Sequence, residues 1–435
     1  YNATNAISSL MMAYLATQPF SSMLVVVPGE GDCERIYANL TDLLPPAIRS
    51  QLFIFPDGSQ IPYEKVALPR EIIGEQMQVL HTLQKPGPKI IITTIRALFQ
   101  PVVSPEDLQQ NSKTIRVGEE ISFVILMSQL EKYGYRNEIT VERVGDIRVK
   151  GGLLDIFCPT ATQPARIEFF ENQIQSIRFF DPVTQLSTEK TNEYTIIPFS
   201  HFLYTPSAIQ QLEKKLTAYF QKNPDDLSDI IQKDLIEIKQ GIFFAGIEHY
   251  IPFSRDEEKI LLDYFSQETL LFLFQPSLLE EGIKNFQTEA FEIVVMEKEK
   301  KEILTLPWEK NFQISRKKLD HFPITFRLDP APLSKSTLQK VALPIRSIEV
   351  LASGDYKSVI QQYSIKDHVL IICTKQYKRV KEILAQIGLE GTLHSIILVD
   401  SYLSDGFHYP SSKLTLLTDK ELFGWKRPHK PVKKF

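Results

Sequence analysis

Arg166 and Phe170 belong to the run ARIEFF, residues 165–170, where strand alternation sends Arg166, Glu168 and Phe170 to one side and Ile167 and Phe169 to the other. One side buries its apolar pair. The opposite side carries a large aromatic among charges, the composition of the centre of a protein–protein contact. Arg148 and Lys150, in DIRVK, add cations that could join such a patch. Arg143, Arg148, Lys150 and Arg178 would also suit phosphates, with the steep salt dependence of a DNA-binding scaffold. The bland alternative packs Phe170 beneath a neighbouring domain and pairs Arg166 with Glu168.

Catalytic chemistry finds little support. A nucleotide motor needs G-x-x-x-x-G-K-[ST], whose backbone amides cradle phosphates while its lysine neutralises them and its hydroxyl ligates magnesium. At the place for it the chain reads YNATNAISSLMM, with no Gly and no Lys, so Thr4, Ser8 and Ser9 read as cap or surface hydroxyls. Gly29-Glu30-Gly31-Asp32 is half a dinucleotide fingerprint at a strand-to-helix turn. The eight histidines are dispersed without HExxH or HxH spacing, and His249 beside Glu248 reads as structural. Cys33, Cys158 and Cys373 are scattered without CxxC spacing and read as small buried apolar residues. No cofactor and no metal site is expected.

A binding face needs a sheet behind it. Val144, Ile147 and Val149 lead into Gly151-Gly152 and then LLDIF, which predicts a strand, a tight turn or bulge, and a second strand. Glu171-Asn172 suits a hairpin turn between ARIEFF and IQSIRFF, whose return strand carries apolar residues on both faces and leaves its orientation open. Around this β-module the chain alternates strands and helices. Residues 24–27, 52–55 and 90–92 are short apolar runs, separated by helices that include 71–83, as in a parallel sheet. Thr205-Pro206 opens a helix with Ile209, Leu212, Leu216 and Phe220 on one face, and LLFLF at 270–274 is a further buried strand. The charge run 296–302 reads as a solvated helix face, residues 322–336 as a linker, and 369–399 as a second βαβ unit before a basic, Pro-broken tail.

KGGLLDIF, RIEFF and SIRFFDPVTQLS, in that order, resemble the signature of the UvrA-binding domain shared by UvrB and the transcription-repair coupling factor family; GIFFAGIEHYIPF at 241–253 resembles a second signature of the same pair. The resemblance implies contact residues at Lys150, Arg166 and Phe170 facing UvrA, the damage-recognition ATPase of nucleotide excision repair, with Arg148 close enough to join them. The family usually has Arg at the first position; Lys150 keeps the charge but loses the planar fork. By resemblance to UvrB, the strand 270–274 should end in Asp-Glu, yet Gln275-Pro276 follows, with Glu280 and Glu281 expected on an exposed helix turn. UvrB also carries a long aromatic hairpin where this chain has only PYEKVALPREIIGEQ, with the single aromatic Tyr63. These departures match the amino-terminal region of the coupling factor rather than an ATP-dependent UvrB-like helicase.

The expected architecture is therefore α/β. A degenerate helicase-like parallel domain (1–115 and 196–325) is interrupted by a small β-rich UvrA-binding domain (116–195) and followed by a second small α/β domain (326–435). With 435 residues, 43% hydrophobic and 23% charged, two to four ordinary globular domains fit. The net charge of −4 supplies no global pull toward nucleic acid. No apolar run approaches the ~18 residues of a membrane span, and unpaired scattered cysteines suit a cytoplasmic protein. The opening at Tyr1 reads as an excised fragment. Full-length members of the family also engage RNA polymerase and double-stranded DNA through a translocase, and their UvrA-facing patch is expected to be masked by an intramolecular contact with the carboxy-terminal part.

Overall fold

The computed structural model describes residues 5–18, 22–58, 67–244, 246–300, 304, 316–320, 322, 324–328, 346–348, 356–364, 368–389 and 396–425, apart from the side chains of residues 5, 297–300, 346 and 347. Thr4, Tyr63, residues 301 and 302 of the charge run and the tail from 426 onward lie outside the described residues, and the run up to 300 continues the helix Pro276–Lys300.

Five parallel strands form the first sheet, in the order Thr325–Leu328, Leu270–Phe274, Met23–Val27, Ile90–Thr94 and Leu52–Phe55. The continuous apolar runs follow from burial on both faces. Leu24, Val26, Ile91 and Leu271 enter one core with Met77 and Leu80 of the helix Arg70–Leu83. Met23, Val25, Val27, Ile90 and Phe272 enter the other, with Met12 of the helix Asn5–Ala16 and Ile36 and Leu40 of the helix Glu30–Leu43.

The linker reading of 322–336 fails in its described part: Thr325–Leu328 is the edge strand of this sheet, paired with Leu270–Phe274. Phe326 stacks on Phe272 with ring centroids 4.7 Å apart. Surrounding prolines and a half-exposed strand gave it no apolar run to show.

The β-module enters and leaves through two adjacent antiparallel strands, Lys113–Arg116 and Glu193–Ile196. Between them lies a six-stranded sheet in the order Ser187–Thr191, Gln173–Phe180, Ala165–Phe170, Leu153–Ile156, Asp146–Lys150 and Arg136–Asn137. The helix Phe123–Lys132 covers its inner face with Leu126 and Leu130. Ile147, Leu154, Ile167 and Ile177 belong to the same contiguous buried cluster as Leu24 and Ile91, so the core does not stop at residue 116.

Thr205 caps the helix Pro206–Lys222 by accepting from the Ala208 amide at 3.2 Å, and the predicted face Leu212 and Leu216 packs on Ile247, Tyr250 and Phe253. The second family signature is thus mostly core; the Tyr250 hydroxyl donates to Asp234 at 3.0 Å.

A second sheet of five strands holds Arg346–Ser347, Phe407–Tyr409, Leu414–Thr418, Val369–Cys373 and Ile396–Val399, with the predicted βαβ unit completed by the helix Tyr377–Gln386. It docks on the first helix: Ala6 packs with Cys373, Leu403, Phe407 and Leu416. Across this contact the Asn39 amide donates to Ser9 at 3.2 Å and to Ser404 at 3.1 Å, and accepts from the Ser404 amide at 3.1 Å. Asn39 is fully buried, so Asn39→Ala leaves polar partners unpaired and is expected to weaken this contact by about 2 kcal/mol. Faster hydrogen exchange in Leu414–Thr418 than in Met23–Val27 would report it; an unchanged difference would refute it.

Candidate partner-binding face

The burial of Ala165–Phe170 alternates as expected: Ile167 and Phe169 are in the core, and Arg166, Glu168 and Phe170 face outward. Phe170 is 69% exposed, so among the described residues no neighbouring domain covers it. It sits at a hairpin whose two-residue turn is Glu171-Asn172, with Glu171 in the left-handed region at φ 55°. The turn is tied down. The Asn172 carbonyl accepts from the Ile121 amide at 2.7 Å, and its side-chain oxygen accepts from the Phe123 amide at 3.2 Å. Phe123 meets Phe169 edge-on at 5.0 Å.

Arg166 does not pair with Glu168. Its Nε and Nη2 donate to Asp155 Oδ1 and Oδ2 at 2.8 and 2.9 Å, a bidentate fork. The guanidinium carbon lies 4.9 Å from the centroid of the Phe180 ring. Asp155 is 5% exposed and holds the Arg166 proton above its ordinary range. Glu168 instead accepts from Arg178 at 3.1 Å and from Ser176 at 3.0 Å.

The return strand explains itself through a bulge. Glu168 pairs with Ser176 but Phe169 with Ile174, leaving Gln175 extra. Parity shifts there, so Ile174 and Ile177 both point inward, while Phe180 points outward beneath a small cluster of Val141 and Phe157. Gly152 is required at the other turn: a Cβ there would lie 2.5 Å from the Phe169 carbonyl.

Strand register lines up Arg148, Asp155, Arg166, Arg178 and Lys190 as successive neighbours across five strands. Lys150 stands one outward position along, in the row that contains Leu153 and Glu168. The four predicted residues therefore share the outer face. Arg148, Lys150 and Lys190 have no ion pair among the described residues. Arg143 lies off the row, 4.0 Å from Glu71. Asp155, Phe180 and Lys190 escaped the sequence reading. A lone carboxylate inside LLDIF is the signal for the first, because a buried charge demands a partner.

Where nucleotide chemistry was sought, Ser8 and Ser9 are buried in the first helix. Gln275, at φ 48°, donates to the Leu328 carbonyl at 2.7 Å, and Glu280 and Glu281 are exposed on the following helix. The three cysteines are buried, and burial raises the Cys33 and Cys373 thiols, the latter to about 12. Among the described residues no helix is long and apolar enough to cross a membrane.

Residues 114–202, which hold this β-sheet, match the UvrB interaction domain family. Over 418 residues, 89% of its length, the chain is 23% identical to the transcription-repair-coupling factor of Staphylococcus haemolyticus. It is 22% identical over 88% of its length to those of Staphylococcus aureus and Staphylococcus epidermidis. The resemblance drawn from the sequence to that family holds, and the chain spans about a third of these relatives' own length, 35% in each case.

Proposed function

We propose that the outer face of the β-module docks UvrA, and that the chain is a recruiting module, without nucleotide hydrolysis of its own, that links stalled RNA polymerase to nucleotide excision repair. The carrying observation is the pairing of a 69% exposed Phe170 on a pinned hairpin with Arg166 held on the same face. An exposed aromatic that a partner can desolvate, beside a fixed guanidinium, is the anatomy of an interface hot spot. The division 1–115, 116–195, 196–325 and 326–435 serves this reading, with the third boundary moved past the strand Thr325–Leu328. RNA polymerase and double-stranded DNA are partners of the longer protein in the same reading.

Titration against purified UvrA tests it. Arg166→Ala combined with Phe170→Ala is expected to weaken binding at least about thirtyfold, from ~2 kcal/mol or more for loss of such an anchor. Retained affinity in a folded double variant, or no binding by the unaltered chain, would reject the assignment. The basic row favours one competing reading, a duplex-DNA scaffold; it predicts binding that collapses as salt rises. No duplex binding at low salt removes it.

A further inference from the structure

Resting on the UvrA reading, we infer that the two carboxylates of this face have opposite duties: Asp155 positions Arg166 for the partner, and Glu168 holds Arg178 in a pair that an acidic group of the partner displaces.

Five cations, Arg148, Lys150, Arg166, Arg178 and Lys190, share the face with these two carboxylates. The two pairs are built differently. Asp155 is buried, sits between Arg148 and Arg166 in the cross-strand row, and takes Arg166 in a fork that fixes the guanidinium against Phe180. That fork leaves Arg166 Nη1 without a partner among the described residues. The side chain is thereby aimed before any partner arrives, which reduces what association must order. Glu168 and Arg178 meet by one contact at 3.1 Å with side chains 47% and 35% exposed, and such a water-facing pair is weak. Arg178 is also under-satisfied: its Nε is buried with no hydrogen-bond partner. A carboxylate arriving on this face gains Arg178 by replacing Glu168. Arg166, Arg178 and Lys190 stand on successive strands at a pitch of ~4.8 Å, with Arg148 two strands beyond Arg166, so the matching surface of UvrA presents acidic groups in line across the strands.

The field alone would make both neutralising variants bind an acidic partner more tightly. Positioning reverses the sign for one of them. The experiment is titration of the 435-residue chain against purified UvrA, unaltered and as Asp155→Asn and Glu168→Gln, at low and physiological salt. Glu168→Gln is expected to tighten binding about threefold, chiefly through faster association. Asp155→Asn is expected to weaken it about tenfold or more, chiefly through faster dissociation, although it removes a negative charge. Glu168 is half exposed, so its arm stands even if Asp155→Asn disturbs the sheet. Weaker binding by Glu168→Gln, or unchanged or tighter binding by a folded Asp155→Asn, overturns the inference while leaving UvrA recruitment in place. No binding by the unaltered chain overturns recruitment and this inference together.

Discussion

Between pH 7 and pH 5 the chain is expected to lose about 2 kcal/mol of stability through His201 alone. The ring is 3% exposed where the β-module rejoins the parallel domain. Its Nε2 faces Gln76 Oε1 at 2.8 Å and its Nδ1 accepts from the Val103 amide at 3.4 Å, an arrangement that suits the neutral ring with its proton on Nε2. Burial, with the nearby Arg255 guanidinium adding to it, lowers the ring to about 3. The unfolded chain takes up this proton near pH 6.5 and the folded chain only near 3, so acid favours unfolding throughout that window. The contribution is complete above 6.5 and is lost at ~1.4 kcal/mol per unit as pH falls. His81, lowered by burial to about 4, acts in the same direction. Asp146, Glu248 and Glu421, raised by burial, act in the opposite direction at lower pH. Urea unfolding at the two pH values isolates the histidine when repeated with His201→Gln, which should flatten the loss by about 2 kcal/mol. An equal loss in both proteins would show that the ring does not carry it.

Gly145→Ala is expected to cost about 3 kcal/mol, from the left-handed backbone and an overpacked contact together. Gly145 has φ +90°, and an added Cβ would lie 2.5 Å from both Arg70 Nη2 and the Phe199 ring. Neither neighbour yields easily. The Arg70 guanidinium lies 4.7 Å from the Phe199 centroid and 3.6 Å from Asp146. The Gly145 backbone is bonded on both sides, donating to Phe157 at 2.7 Å and accepting from Arg136 at 3.0 Å. The damage therefore falls where the helix Arg70–Leu83 meets the β-module. An unfolding free energy within ~1 kcal/mol of the unaltered protein would refute the account.

Much of this architecture was legible because burial left period-two or continuous apolar patterns. The parallel strands announced themselves as runs such as MLVVV, and the outer face of ARIEFF followed from alternation alone. Thr205 and the two-residue hairpin turn were readable from local chemistry. What escaped depended on partners distant in sequence. The Arg166 fork is a cross-strand contact eleven residues away, whereas Glu168 was nearer along the chain. The bulge at Gln175 changes parity inside IQSIRFF, so no single alternation could orient that strand. The edge strand Thr325–Leu328 earns its place by stacking on Phe272, a contact that composition does not encode.

The paired strands Lys113–Arg116 and Glu193–Ile196 have a consequence for transplantation. Because the two ends of the β-module emerge side by side, a short turn could close the host chain after excision, and the excised piece could be spliced into a loop of another scaffold. The junction is portable, but the seam beneath it is not. Leu126, Tyr133 and Ile147 lie in one buried cluster with Leu98 and Val103 of the host. A graft that carries the cassette alone would expose that apolar surface, so a soluble transplant must bring a replacement wall or recode those positions as polar.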